Sequence, residues 1–349
     1  MRDLKFVTIF PDDNYFTWQC HLWLESLRSI RQSDKAIVLI FTPKYREVNI
    51  KGYQSIIDLY PEVEFKFYKD EHNVSDLLGV YIPILRPYTA WRYWIDHPEM
   101  KDKAVFYCDS DILFIEGFNI DKFLDDDIIY ASDTNSYINA SYFDNKIKDV
   151  LPNRKEDYKK IDVLSETAKI VGITREICEK NNLHSGGTQY LLKNIDADYW
   201  KKVQNDCISI ITYLRGINKQ YFENENKGFQ SWTADMWAVL WNLWLRNQET
   251  KIVPELEFAW ATDNIDKLKR CTIFHNAGIS GDFMEYSRDE RGNKKLYPAF
   301  YKGKYIRGDS PMKDPHLDVI LNSEESKKYC TWFYASKIKE LNFKYQLNY

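Results

Sequence analysis

Two aspartates separated by one serine, Asp109 and Asp111, close the stretch "AVFYCDSD" that begins at Ala104. The apolar run before them reads as a strand buried on both faces. A pair of hard oxygen ligands on one tight turn suits Mg2+ or Mn2+, which take octahedral oxygen coordination and fill the remaining positions with water and substrate phosphates. Capping of a strand by a polar loop is the competing account. Two further triplets, Asp125/Asp127 in "LDDDI" and Asp196/Asp198 in "IDADYW", have sufficient explanations as a charged turn and a helix N-terminus. There is no GxxxxGK segment and no GxGxxG after the first strand, so a metal would have to carry a nucleotide's diphosphate, as a Lewis acid on the leaving group.

Three later segments hold other groups able to do chemistry. "NNLHSGGTQYLLKN" (Asn181 to Asn194) puts Gly186 and Gly187 just before a strand, with Gln189 two residues on. "SWTADMWAVLWNLW" (Ser231 to Trp244) begins a helix whose Trp237, Leu240, Trp241 and Trp244 recur at core spacing. Asp235 lies in its first turn, where complementing the helix dipole explains a carboxylate equally well. "CTIFHNAGI" (Cys271 to Ile279) ends a strand with His275, followed by Gly278, and imidazole suits Mn2+ as oxygen ligands do. Taken singly, these are an ordinary turn, a dipole-matched carboxylate and a structural histidine.

Their order carries more than any one of them. An apolar strand followed by "CDSDILF" resembles the DxD motif of GT-A-fold glycosyltransferases. Arg86-Pro87, Asp109/Asp111, Gly186-Gly187, Trp232/Asp235-Met236 and His275 are similar in order to the group containing plant hydroxyproline O-arabinosyltransferases and peptidyl-serine α-galactosyltransferases, over roughly residues 80 to 280. The resemblance implies a GT-A (Rossmann-like) α/β fold in which Asp109, Asp111 and His275 hold Mn2+ or Mg2+. It places Gly186 and Gly187 along the donor-sugar pocket, Gln189 near the anomeric carbon, and Asp235 on sugar hydroxyls or the acceptor, or as the base of an inverting enzyme. The donor it implies is a UDP-sugar, pentose or hexose, with its base near Phe10 and Asp12. Arg86, Lys302 and Lys304 then lie at the donor, the last two with Arg307 in "FYKGKYIRGD", a lid that excludes water.

Retention is the expected outcome, with the leaving phosphate deprotonating the acceptor on the same face. The acceptor stays open between a glycan, a protein hydroxyl and a hydroxymethylated base of viral DNA. A metal-dependent nucleotidyltransferase or phosphatase, and a non-catalytic carbohydrate-binding module, are the rivals from other classes.

These residues need a frame. "LKFVTIF", "KAIVLIFT" and "VEFKFY" read as strands alternating with helices, and "KAVFYC" follows a helix opened by Pro87 and ended by Pro98. Such alternation predicts a mixed, mostly parallel sheet covered by helices, with ligands beyond the carboxyl ends of its strands. A long helical stretch is expected over residues 157 to about 179. Residues 1–290 are expected to form the catalytic domain, split at about residue 130 into nucleotide-sugar and acceptor halves, with 291–349 as lid and helical extension.

At 349 residues, 44% apolar and 16% aromatic, the chain can bury a large core. A net charge of −4 with interleaved signs shows no basic stripe for nucleic acid. The six cysteines are scattered without a CxxC pair, against a zinc site or disulfide framework. No membrane span is evident, the short apolar run near the start is too short for a signal h-region, and the expected location is the cytoplasm. The oligomeric state is left open.

Overall fold

The computed structural model describes residues 2–346 apart from 49, 80, 278–283, 289–291, 293 and 308. The main elements in chain order are β1 (Leu4–Pro11), α1 (Asn14–Ser29), β2 (Ala36–Thr42), α2 (Ile50–Leu59), β3 (Glu64–Lys69), α3 (Leu85–Asp96), β4 (Ala104–Cys108), β5 (Ile112–Phe114) and β6 (Ile129–Ser132). They continue with α4 (Val163–Val171), β7 (Gly187–Lys193), α5 (Ala197–Tyr221), α6 (Ala234–Leu245), β8 (Thr250–Ile252), β9 (Phe258–Trp260), β10 (Ile273–His275), β11 (Met284–Arg288), β12 (Lys294–Pro298) and α7 (Cys330–Tyr345).

The fold is the expected mixed α/β arrangement. Seven strands pair in the order β3-β2-β1-β4-β7-β6-β8. β7 alone runs against its neighbours, wedged between β4 and β6, and the other pairings are parallel. Side chains of β1 alternate between two cores, as strand geometry requires. Val7 and Ile9 meet α3, α5 and α6 on one face, and Phe6 and Phe10 meet α1 and α2 on the other. β2 is buried along its whole length, which is why its sequence is an unbroken apolar run.

A second, smaller sheet, β5-β10-β9, continues from the end of β4. Behind it a third core gathers Trp18 and Leu22 of α1, Phe274 of β10, and Tyr334, Ile338 and Leu341 of α7. Among the described residues β11 and β12 pair with each other alone. Among the described residues no helix is long and apolar enough to cross a membrane. All six cysteines are buried free thiols.

Two local expectations change. The stretch over 157–179 breaks into α4 and the short helix Arg175–Lys180, because Gly172 takes φ +97° and its N–H turns back to the carbonyls of Ala168 and Lys169. Pro87 is the third residue of α3 rather than its first, still within the turn whose N–H groups lack helical partners.

Trp200 of α5 ties the helical layer to the sheet, with its ring 5.6 Å from Trp94 and 4.9 Å from Tyr107 of β4. Trp200→Ala is expected to cost about 3–5 kcal/mol, read as a lowered denaturant midpoint in chemical unfolding.

Candidate metal centre and cleft

The turn from Asp109 to Asp111 is the hinge between the two sheets, since β4 ends at Cys108 and β5 begins at Ile112. β10 pairs antiparallel with β5 and sets His275 opposite Ile112. The next residue closes the register: the Asn276 N–H donates to the Asp111 carbonyl at 3.0 Å. A residue 164 positions later in the chain, counted as 275 minus 111, is thereby delivered to the aspartate turn.

His275 Nε2 lies 3.2 Å from Asp111 Oδ1 and 3.6 Å from Asp109 Oδ2. The three ligand atoms all fall within 4.8 Å of one another. An octahedral ion with bonds of about 2.1 Å wants neighbouring ligands about 3.0 Å apart and opposite ones about 4.2 Å apart, so a small inward shift would let these three hold one divalent cation.

The outer oxygens are taken by cations. Arg86, in the first turn of α3, pairs with Asp109 Oδ1 and with Asp235 Oδ2. Lys302 pairs with Asp111 Oδ2 and also donates to the Asn276 carbonyl at 2.7 Å. Burial pushes the Asp111 carboxyl up, but the Lys302 ammonium and His275 outweigh it and hold the group well below the usual carboxylate range.

Gln189 behaves differently from its sequence expectation. It is 0% exposed and cannot touch a sugar. Its amide lies 3.5 Å from His275 Nδ1, and its other end meets the Ser132 hydroxyl at 2.5 Å. When Nε2 binds a metal, Nδ1 carries the proton and needs an acceptor; the carboxamide can present its oxygen, because a hydroxyl both donates and accepts on the far side. Gln189 therefore lies against the histidine rather than at a sugar. Trp260 of β9 stacks on a face of the ring, with centroids 4.9 Å apart.

The backbone pays for that aim. Ser132 pairs with Gly187 while Ala131 pairs with Tyr190, leaving Thr188 and Gln189 as a bulge in β7. Thr188 sits at φ +70°, a strained conformation for a β-branched residue, of order 1–3 kcal/mol. The glycines serve this packing: a Cβ on Gly186 would lie 2.5 Å from the Ser132 carbonyl oxygen, and one on Gly187 would lie 2.8 Å from Met236 Cε. Tight backbone approach, expected toward a ligand, is here toward β6 and α6.

Other expectations are corrected by position. Asp235 has no free oxygen for a base, since Oδ1 accepts from the Tyr81 hydroxyl at 2.7 Å and Oδ2 is held by Arg86. Phe10 is 0% exposed inside the α1/α2 core and presents no face to a nucleobase. Asp12 is buried and accepts from Thr42 Oγ1 at 2.8 Å, joining the ends of β1 and β2. Lys304 pairs with Asp314 at 2.6 Å, while Lys302 from the same turn reaches Asp111. Arg307 is exposed, and Gly278 lies outside the described residues.

A cleft of about 500 Å³ opens beside Trp260, with Thr134, Tyr137, Thr188, Thr233 and Met236 among its walls. Sequence reasoning missed Trp260, Ser132 and Tyr81. Only the pairing of β9 with β10, which places Trp260 opposite His275, marks the tryptophan.

No family model and no curated protein matches the chain. Among solved structures it is similar to the bifunctional glycosyltransferase WbbM at 11% identity and a TM-score of 0.45, covering 97% of this chain and 52% of that one, so the chain spans about half of its length. It is also similar to the galactosyltransferase LgtC in complex with donor and acceptor sugar analogues (14% identity, TM-score 0.36, 92% and 98% covered). Mouse xyloside xylosyltransferase 1 gives 11% identity and a TM-score of 0.35, with 79% and 98% covered. At such scores these likenesses carry no functional weight, and the reading below rests on the site.

Gly186→Ala is expected to lower stability by about 1–3 kcal/mol, measured by chemical unfolding, because the clash is with backbone and no rotamer relieves it. Gln189→Leu is expected to keep the fold by circular dichroism and to weaken Mn2+ binding about 10–100-fold in electron paramagnetic resonance titrations.

Proposed function

We propose that the protein is a metal-dependent glycosyltransferase that moves a pentose or hexose, such as arabinose, galactose or glucose, from a UDP-sugar to an acceptor hydroxyl. The observation that supports it is the convergence of Asp109 Oδ2, Asp111 Oδ1 and His275 Nε2 beside a cleft large enough for two sugar rings. A bound Mn2+ or Mg2+ would supply Lewis-acid stabilisation of the diphosphate leaving group.

The chain's own residues do the rest. Gln189 and Trp260 fix the imidazole plane, and Arg86 fixes the outer oxygen of Asp109 so that its inner oxygen stays aimed. Lys302 lies where a diphosphate beside the aspartates would present its charge, and its ammonium favours that charge as it grows in the transition state. Trp260, Met236 and Tyr137 offer apolar surface to a sugar face, and the hydroxyls of Thr134, Thr188 and Thr233 offer hydrogen bonds.

Retention fits better than inversion. No carboxylate is among the described residues that line the cleft, and Asp235 is held by Arg86 and Tyr81. The departing phosphate is then the group that takes the acceptor's proton, on the same face of the sugar.

A panel of nucleotide sugars with Mn2+, scored for release of free nucleoside diphosphate, tests the proposal. One or a few donors are expected to turn over, with EDTA or Asp111→Ala removing at least about 100-fold of the rate. Activity unaffected by chelation and by Asp111→Ala, or turnover of no donor, overturns it.

A further inference from the structure

The two carboxylates of the metal centre meet two cations before any metal arrives, and the two cations are held very differently. Arg86 is fastened from behind. Asp235 takes its other nitrogen, and Asp235 is in turn held by Tyr81, whose hydroxyl oxygen lies 2.7 Å from both Asp235 Oδ1 and the Trp232 carbonyl, with one proton for the two, and accepts from the Asp235 N–H at 2.9 Å. Lys302 comes from the short helical turn Lys302–Tyr305, on a flexible four-carbon stem, and its ammonium holds only the Asp111 oxygen and the Asn276 carbonyl among the bonds described.

Charge decides what this arrangement does. Asp109, Asp111 and Asp235 together face only Arg86 and Lys302, a net charge of −1. A divalent cation would turn that into an excess positive charge with Lys302 still seated on Asp111, whose side chain is only 11% exposed, and such charge is costly there. A diphosphate reverses the sign of the problem: it brings negative charge to the metal and a new partner for an ammonium that can swing on its stem.

We infer that Lys302 is a built-in counter-ion of the metal centre, paired with Asp111 as long as no metal is bound and passed to the diphosphate when metal and nucleotide bind together. The inference rests on the metal-centre reading above. Its consequence is that metal and nucleotide bind with positive coupling, each raising the other's affinity by the same factor. Arg86, locked by Asp235 and Tyr81, stays on Asp109 in both states.

The test uses the full chain, Mn2+ and UDP, with GDP as a second nucleotide. Mn2+ affinity is measured by electron paramagnetic resonance with and without nucleotide, for the native protein, Lys302→Met and Lys302→Arg. Lys302→Gln, which keeps a donor for the Asn276 carbonyl without the charge, stands in if Lys302→Met does not fold by circular dichroism.

The native protein is expected to bind Mn2+ alone weakly and to gain about 5–150-fold with UDP. Lys302→Met is expected to bind Mn2+ alone about tenfold more tightly, yet to bind UDP less tightly once Mn2+ is present, so that most of the coupling disappears. Lys302→Arg should retain weak binding of Mn2+ alone. A merely structural lysine would lower both affinities together. If Lys302→Met binds Mn2+ alone no more tightly than the native protein, or keeps the full coupling, the counter-ion role is overturned while the metal centre stands. If no variant binds Mn2+ with or without nucleotide, both fall.

Discussion

Two carboxylates one residue apart at the end of a buried strand repel each other and lose solvent together, and the surroundings of Asp109 and Asp111 answer that constraint. Positive or polarisable groups must come from elsewhere in the chain, because the local sequence on either side is apolar. Arg86 comes from the start of α3, His275 from the end of β10, and Lys302 from the turn after β12. Each takes a defined oxygen. The inner oxygens face His275, and the outer ones are held by the two cations.

That division depends on the joint between the two sheets. β4 belongs to the seven-stranded sheet and β5 to the three-stranded one, so the aspartate turn is the corner where the chain changes sheet. The antiparallel pairing of β5 with β10 then places His275 by backbone hydrogen bonds, independently of any ligand. On the other side, the bulge in β7 carries the strain of Thr188 and delivers the Gln189 amide to the same imidazole. Strain of this kind persists only where surrounding packing fixes it, and here Gly186 lies so close to the β6 backbone that a Cβ would meet the Ser132 carbonyl oxygen.

The sheet, its flanking helices and the aspartate turn were legible because burial on both faces writes itself as apolar runs and helical stripes. Asp109, Asp111 and His275 were legible as ligand types at strand ends, where such sheets present their residues. Gln189 and Asp235 were read as groups facing a sugar, and both instead support neighbours: one the histidine, the other Arg86. Phe10 and Lys304 failed for a related reason. Which face of a strand is covered by a helix, and which of two lysines on one turn meets Asp314, are settled by parts of the chain that local pattern does not contain.

The residue types able to bind a divalent ion, and the strands that carry them to one edge of a sheet, were therefore fixed by local composition and period. Which carboxylate oxygens face His275 and which are clamped by a cation was decided by the folded chain. Arg86 meets Asp235 across 149 residues and Lys302 meets Asp111 across 191. Side-chain pairing at such separation is chosen by the packing of whole elements and by the balance of buried charge, and both exist only after the two sheets have met.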